Sequence, residues 1–521
     1  MERLKVVSFV NFWSILGLLS MITIWLLPWR FQTNDDEIMM WLVSGAYTGT
    51  PESYAVFIHP LLSWIFAQLY SLFPSISWYP LAWFIVIYLS YEGLILSLNR
   101  SKIGIYGINI FAIFCLFLFL HFCLFLQFTI VAGVAGFSGL LLPRIWNRKE
   151  SKIIFLFSIL LIVFSIMIRW ESFMLILLAF GFYFLIFKSN REILTYSKPF
   201  VVSLLLLIVL IGSKFAWERQ SDYADFVAYN KARAAVSDHP VSYKLFLEEK
   251  LDRESKWFFF SHWMMEDDKL TLENLKERKS ELDNEFFSFA QFSNSFSRLF
   301  SVLKAEAFKT VFSFLLIFIY LFSFKAGRRS LVFLSAWMLF FLIVNHFFIL
   351  NGRVVILFIL PILFPLILEP TCGLIGKRAL IFANALLLLL FGYHLKNFLA
   401  EANARQIMQE EFLSLTENLP SEVLLVMEGY KENYLGINYT MEYPVPFLSL
   451  GWISKSPFQN TKLQKISLSK ISETYEFYLL GVDVNQEFYF PEYMNYLIGD
   501  FQLESTRRQE NFILFHYTKS H

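Results

Sequence analysis

The sequence predicts an α-helical polytopic membrane protein with about eleven spans, followed by a small α/β domain outside the membrane. Three observations predict it. Of the 521 residues, 56% are hydrophobic, and apolar runs near twenty residues recur along roughly the first four hundred positions, the length that crosses a bilayer core as a helix. Lysine and arginine segregate to alternate connections between those runs. Beyond the last run the chain turns polar, with short strand-like stretches between Gly, Pro and Asn.

Taken in order, the spans fall at roughly 8–28, 79–98, 103–121, 128–144, 152–169, 172–188, 198–216, 309–324, 330–348, 354–369 and 378–396. The first run is too long for a signal-peptide core and lacks a small-residue cleavage pattern, so a retained helix is expected. Leu61–Phe73 is apolar but only thirteen residues long and lies between Pro60 and Pro74. That length suits an interfacial or re-entrant helix better than a span. Charge decides the matter. With eleven spans and the N-terminus inside, the inner connections carry Arg3, Arg100, Arg144, Lys188, Arg328 and Arg378 among others, while the short outer ones carry only Arg30, Arg169 and Arg353. Counting Leu61–Phe73 as a span would invert that distribution, against the positive-inside rule.

Two domains follow. Residues 1–396 form the membrane part, with outer loops at about 29–78 and 217–308; residues 397–521 form the outer C-terminal domain. The latter begins with a polar helical stretch, Leu399–Asn418, and continues with strand-like runs at Val423–Met427, Glu476–Leu480 and Asn511–Tyr517. Cys115, Cys123 and Cys372 lie in or beside spans, so neither a disulfide framework nor a metal-type cysteine pair is expected. The net charge of +1 and the lack of a basic tract with interleaved aromatics exclude a nucleic-acid partner.

Polar residues at membrane depth scatter when incidental and share a face when they build a site. Here they gather on the outer side. Asp35, Asp36 and Glu37 stand together just after the first span. His59 follows in the same loop; Gln127 and Thr129 start the fourth span; Arg169 and Glu171 flank Trp170; Asn351 and Arg353 flank Gly352. The second outer loop adds His262, Trp263, Glu266, Asp267 and Asp268. Each has a plainer reading: a solvated turn for the acidic run, snorkelling for Arg169 and Arg353, a structural histidine for His59, helix contacts for Gln127, a loop turn for Asp267 and Asp268. Tyr229–Arg233 and Asp238-His239-Pro240 could dock substrate but read rather as loop structure, and Trp257–Phe260 as membrane-interface packing rather than a ligand platform. The shared side is the stronger signal. It favours chemistry at the outer surface over a transport path, whose polar groups would sit near the midplane.

The order Asp35-Asp36-Glu37, then His59-Pro60-Leu61-Leu62 and Leu69-Tyr70-Ser71-Leu72-Phe73, resembles the GT-C glycosyltransferases, integral membrane enzymes that use lipid-linked phosphosugars. They carry an acidic pair in the first external loop, a juxtamembrane helix, and in some branches a His-Pro-Pro-Leu motif; Leu61 stands here in place of the second proline. The resemblance covers about the first hundred residues and, beyond them, only the architecture.

It implies transfer of a sugar from a polyprenyl-phosphate donor to an acceptor hydroxyl at the outer face, with inversion. Asp35 or Asp36 is then the base, with Arg353 and Arg169 holding the phosphate. Glu37, His59, Gln127 and Glu171 are the further substrate-binding candidates. Asp267 and Asp268 would orient the acceptor or hold a divalent cation, Mg or Mn; two carboxylates without further ligand spacing leave both open. The implied partners are a lipid-linked sugar donor, a glycan, lipid or protein acceptor, and membrane lipids. The implied location is a bacterial inner membrane with the site facing the periplasm. The alternatives are a polysaccharide polymerase and a non-enzymatic flippase or transporter of lipid-linked sugars.

Overall fold

The structure, a computed structural model, describes the chain except for residue 1 and residues 102–104, 146–150, 189, 243–250, 254, 324–326, 370–376, 421, 430–436, 483–485 and 520–521. Cys372 lies outside the described residues. Among those described, seven helices are long and apolar enough to cross a membrane, and Phe128–Leu141, Ala307–Leu321 and Gly352–Leu368 are shorter apolar helices. The long helix α7 (Ser151–Phe187) is two helices in one, because Arg169 has extended backbone angles (φ −157°, ψ 95°). Counting its halves separately, helical segments occupy every stretch read as a span.

After α1 (Glu2–Leu26), strand β1 (Arg30–Phe31) pairs in parallel with β2 (Phe125–Leu126), and the Gln32 N–H donates to the Leu126 carbonyl. This short pairing brings the start of the first loop to the junction of α5 (Ile105–Leu124) and α6 (Phe128–Leu141). The acidic run then opens α2 (Asn34–Ser44), where negative charge favours the positive end of the helix dipole. The thirteen-residue apolar run is a helix, α3 (Pro60–Leu72), with proline in its first turn, where a missing N–H costs nothing. α4 (Trp78–Asn99) follows.

All of α6 is buried. Small residues let α7 approach it: a Cβ on Gly136 would meet Ser165 and Phe173, and one on Gly139 would meet Ile162. Ser165 and Ser158 of α7 donate to the α6 carbonyls of Ala132 (2.6 Å) and Gly139 (2.7 Å). With no hydrophobic force between helices in lipid, close contact and such bonds supply the cohesion. The break at Arg169 removes a helical partner from the Met167 carbonyl, and the His59 N–H takes its place at 2.7 Å. That bond fastens the first loop to the middle of α7.

The last membrane helix, Lys377–Thr416, runs 40 residues without a break, so the polar stretch read from Leu399 is its continuation. The C-terminal part holds a four-stranded sheet in the order β3 (Leu424–Glu428), β4 (Glu476–Val482), β6 (Phe512–Lys519), β5 (Phe501–Arg508). β3 and β4 are parallel; β4–β6 and β5–β6 are antiparallel. Three strands match the sequence reading. β5 escaped it because all but its first residue is exposed, leaving no alternation to detect. Phe258, Phe259 and Met264 of the second loop pack with Phe477, Leu479, Phe490 and Tyr493 in one core. The Trp257–Phe260 stretch thus packs largely within the second loop and the C-terminal part, in contrast to the membrane-interface packing expected.

Candidate active site

Between the first loop, the N-terminus of α6, the α7 break, the outer end of α8 (Asn190–Gln220), α9 (Ala224–Ser237) and the Glu306–Phe308 and Asn351–Val354 segments lies a cavity of about 1090 Å³. The volume suits a substrate well above water in size.

The two adjacent aspartates diverge. Asp35 lines the cavity, and Arg353 Nη1 meets its Oδ2 at 3.2 Å, with 19% and 22% of the two side chains exposed. Asp36, one residue on, points the other way and is completely buried. Its carboxylate accepts from Tyr79 Oη (3.0 Å) and from the Phe128 N–H at the start of α6 (3.2 Å to Oδ1, 3.3 Å to Oδ2). Burial pushes the Asp36 carboxyl well above the usual carboxylate range, against those two bonds. Asp36 therefore locks α2 to α6 and α4 and so aims Asp35 into the cavity. Gly352 makes the Arg353 side possible, since a Cβ there would collide with the Glu306 side chain.

On another wall Arg169 Nε and Glu171 pair at 3.1 Å, and Arg169 lies over the Phe57 and Phe128 rings. Below them Lys214 donates to three successive carbonyls, Val56, Phe57 and Ile58, at 3.0–3.3 Å. Val56 needs that hold: a β-branched residue at φ 63° is strained. Glu218, one helical turn on, accepts from Tyr54 Oη (2.9 Å) and Lys231 Nζ (3.3 Å). The α9 wall supplies Arg233, 4% exposed, bonded to Asn230 and Ser237 and lying 5.7 Å from the Trp263 ring. Asp238 nearby also lines the cavity; burial raises its carboxyl while Arg233 opposes the shift. Trp263 is itself at φ 65°, packed against Gly451. At the far end His121 Nδ1 meets His394 Nε2 at 2.8 Å. From the C-terminal part comes Trp452, edge-on to Phe57.

Of the residues selected from sequence, Asp35, Arg353, Asn351, Arg169 and Glu171 come together on this cavity, with Thr129 and Trp263 beside them. The others sit elsewhere. His59 caps α3, its Nδ1 accepting from the Leu61 N–H and its Nε2 lying 3.1 Å from the Leu210 carbonyl and Ser213 Oγ; burial lowers its pKa. Gln127 caps α6 by accepting from the Ile130 N–H. Glu37 is buried outside the lining. Asp267 accepts from Tyr496 Oη and the Lys269 N–H, and exposed Asp268 pairs with Lys470 at 2.7 Å. Lys231, Arg233 and Asp238 belong to stretches for which loop structure was preferred over substrate docking, and they line the cavity; Lys214 and Glu218 were not selected. A charged pair four residues apart at the end of an apolar span, Lys214 and Glu218, was a readable signal for that wall. Among the described residues no three His, Cys, Asp or Glu gather as a metal-ligating group.

No protein-family profile and no curated protein matches the sequence. Among solved structures the chain is similar to the crystal structure of ArnT from Cupriavidus metallidurans bound to undecaprenyl phosphate, over 98% of each chain, at TM-score 0.49 and 11% sequence identity.

Proposed function

We propose that this protein is a membrane glycosyltransferase that moves a sugar from a polyprenyl-phosphate donor to an acceptor hydroxyl, with inversion and on the side of the C-terminal domain. The observation that carries the reading is the Asp35–Arg353 pair: a partly exposed carboxylate beside a guanidinium, in a cavity walled by further cations and held between apolar helices. Inverting transfer needs a base for the acceptor hydroxyl and positive charge for the departing phosphate.

Asp35 takes the hydroxyl proton as the acceptor oxygen bonds to the anomeric carbon and the bond from that carbon to the phosphate oxygen breaks. The electron pair leaves with the polyprenyl phosphate. Arg353 spends one of its five N–H groups on Asp35 and has others to offer a phosphate oxygen. Arg233 and Arg169 add positive charge along the same walls. Asp36 acts on none of the reacting atoms; it fixes the helix that carries Asp35. Trp452 and Phe57 pack edge to face and close the same part of the cavity wall. A divalent cation, if one takes part, has no preassembled cage among the described carboxylates and histidines, and no step above runs through one.

The test is release of labelled sugar from polyprenyl-phosphate donors by the purified protein in vesicles. Transfer to an added lipid or glycan acceptor, with the anomeric configuration inverted in the product, supports the reading. Donor binding without any transfer or hydrolysis, across hexose and pentose donors, would favour a carrier of lipid-linked sugars.

A further inference from the structure

The helix Phe289–Ala305, in the second loop, divides its circumference into three sectors. One faces protein: Gln291, Ser295, Arg298 and Leu299 are buried. The bonds there are specific. Ser295 Oγ meets His346 Nδ1 at 3.1 Å, Asn345 Nδ2 donates to the Ser295 carbonyl at 2.9 Å, and Arg298 donates to the Asn345 carbonyl. Both partners, Asn345 and His346, belong to the last turn of the membrane helix Arg328–Phe347. The second sector is a stripe of phenylalanines spaced three and four apart, Phe289, Phe292, Phe296 and Phe300, exposed by 88, 46, 53 and 73%. The third carries Ser293, Ser297, Ser301 and Lys304, all exposed.

Such a helix is upside down for a water-soluble loop, since its polar face is buried and its aromatic face bare. The arrangement is satisfied where protein, hydrocarbon and water meet. The stripe is also continuous with lipid-facing surface: at Glu306 the chain turns into the membrane helix Ala307–Ser323, whose Val311, Phe314, Phe318 and Leu321 are exposed. We infer that Phe289–Ala305 is an interfacial helix whose phenylalanine stripe lies in the acyl chains of the leaflet on the side of the C-terminal domain. Its end, Ala305–Phe308, is a wall of the cavity, and Glu306 lies against Gly352 beside Arg353. The depth of this helix therefore sets the height of the Asp35–Arg353 pair above the hydrocarbon. This holds whether or not the protein transfers sugar.

The test uses the full chain in phosphatidylcholine vesicles, with Cys115, Cys123 and Cys372 replaced by alanine and one spin label at Phe296→Cys or at Ser297→Cys. Collision with oxygen, which concentrates in hydrocarbon, is compared with collision with a water-soluble nickel chelate. The expected result is a several-fold excess of oxygen over nickel accessibility at 296 and the reverse at 297. Nickel access at both positions, or no access of either reagent to 296, overturns the inference; the second outcome would place a protein partner or another copy on the stripe. Phe300→Cys and Ser301→Cys repeat the contrast one turn on, so one poorly folding variant does not decide the outcome.

Discussion

The cavity and the C-terminal part both hold charge away from water, and they do so with different partners. On the cavity, Asp35 meets Arg353 and Glu171 meets Arg169, side chain to side chain, each with roughly a fifth to a half of its surface exposed. In the C-terminal part, Glu428 accepts the N–H groups of Tyr489 and Phe490 at 2.7 and 2.8 Å, capping the helix Phe490–Ile498, and Lys455 donates to the carbonyls of Asp267 and Leu270. Side-chain partners can be exchanged for a ligand; backbone partners cannot leave without local unfolding. Asp36 brings that second pattern next to the first, with a backbone N–H among its partners, one residue from Asp35. For Asp35 and Asp36, one residue apart, partner type separates the two; Lys214 on the same cavity is likewise held by backbone carbonyls.

The largest effect should come from Asp35→Asn, which lowers sugar transfer by about 10² to 10⁴-fold, the usual worth of a general base, while melting stays unchanged. Arg353→Gln should cost roughly 10²-fold, as for loss of one preorganised charge donor, with the fold again intact by circular dichroism. Asp36→Ala reverses the pattern. It leaves the Tyr79 hydroxyl and the Phe128 N–H unpaired, at about 1–3 kcal/mol, so thermal melting falls while transfer per folded molecule changes far less than for Asp35→Asn. Equal loss of transfer without loss of stability would break the contrast.

Glu428 offers a pH test. Burial pushes its carboxyl up to about 7 from 4.5. The folded form then binds the proton more tightly than the unfolded form, so stability is highest below pH 4.5, falls as pH rises to about 7, and is flat above. The change is on the order of 3 kcal/mol at most. Melting of the parent should decline between pH 5 and pH 7.5 with a slope that Glu428→Gln removes. The smallest effect belongs to Asp268→Asn, which loses an exposed ion pair with Lys470 and should change neither transfer nor melting measurably.

Much of the fold was legible. Apolar length marked the membrane segments, and the positive-inside rule kept Leu61–Phe73 out of the count; the structure has the thirteen-residue helix Pro60–Leu72 there. The second loop was less legible, because its helices are short or amphipathic and began at Ser and Thr caps such as Thr271 and Ser288 that were not read as starts. Part of the candidate site could be read from sequence. Asp35, Arg169, Glu171 and Arg353 stood out as charges at span ends. Asp36 and Asp35 could not be told apart, since the difference lies in which way each faces on α2. Arg233 and Trp452 reach the cavity through tertiary packing of α9 and the C-terminal part, for which no local pattern exists.

The most direct measurement is transfer of labelled sugar from polyprenyl-phosphate donors in vesicles, run side by side for the parent, Asp35→Asn and Asp36→Asn. Transfer by the parent, its collapse in Asp35→Asn and its survival in Asp36→Asn is the predicted result. Collapse in Asp36→Asn with Asp35→Asn still active would contradict it, as would the absence of transfer from every donor by a folded parent.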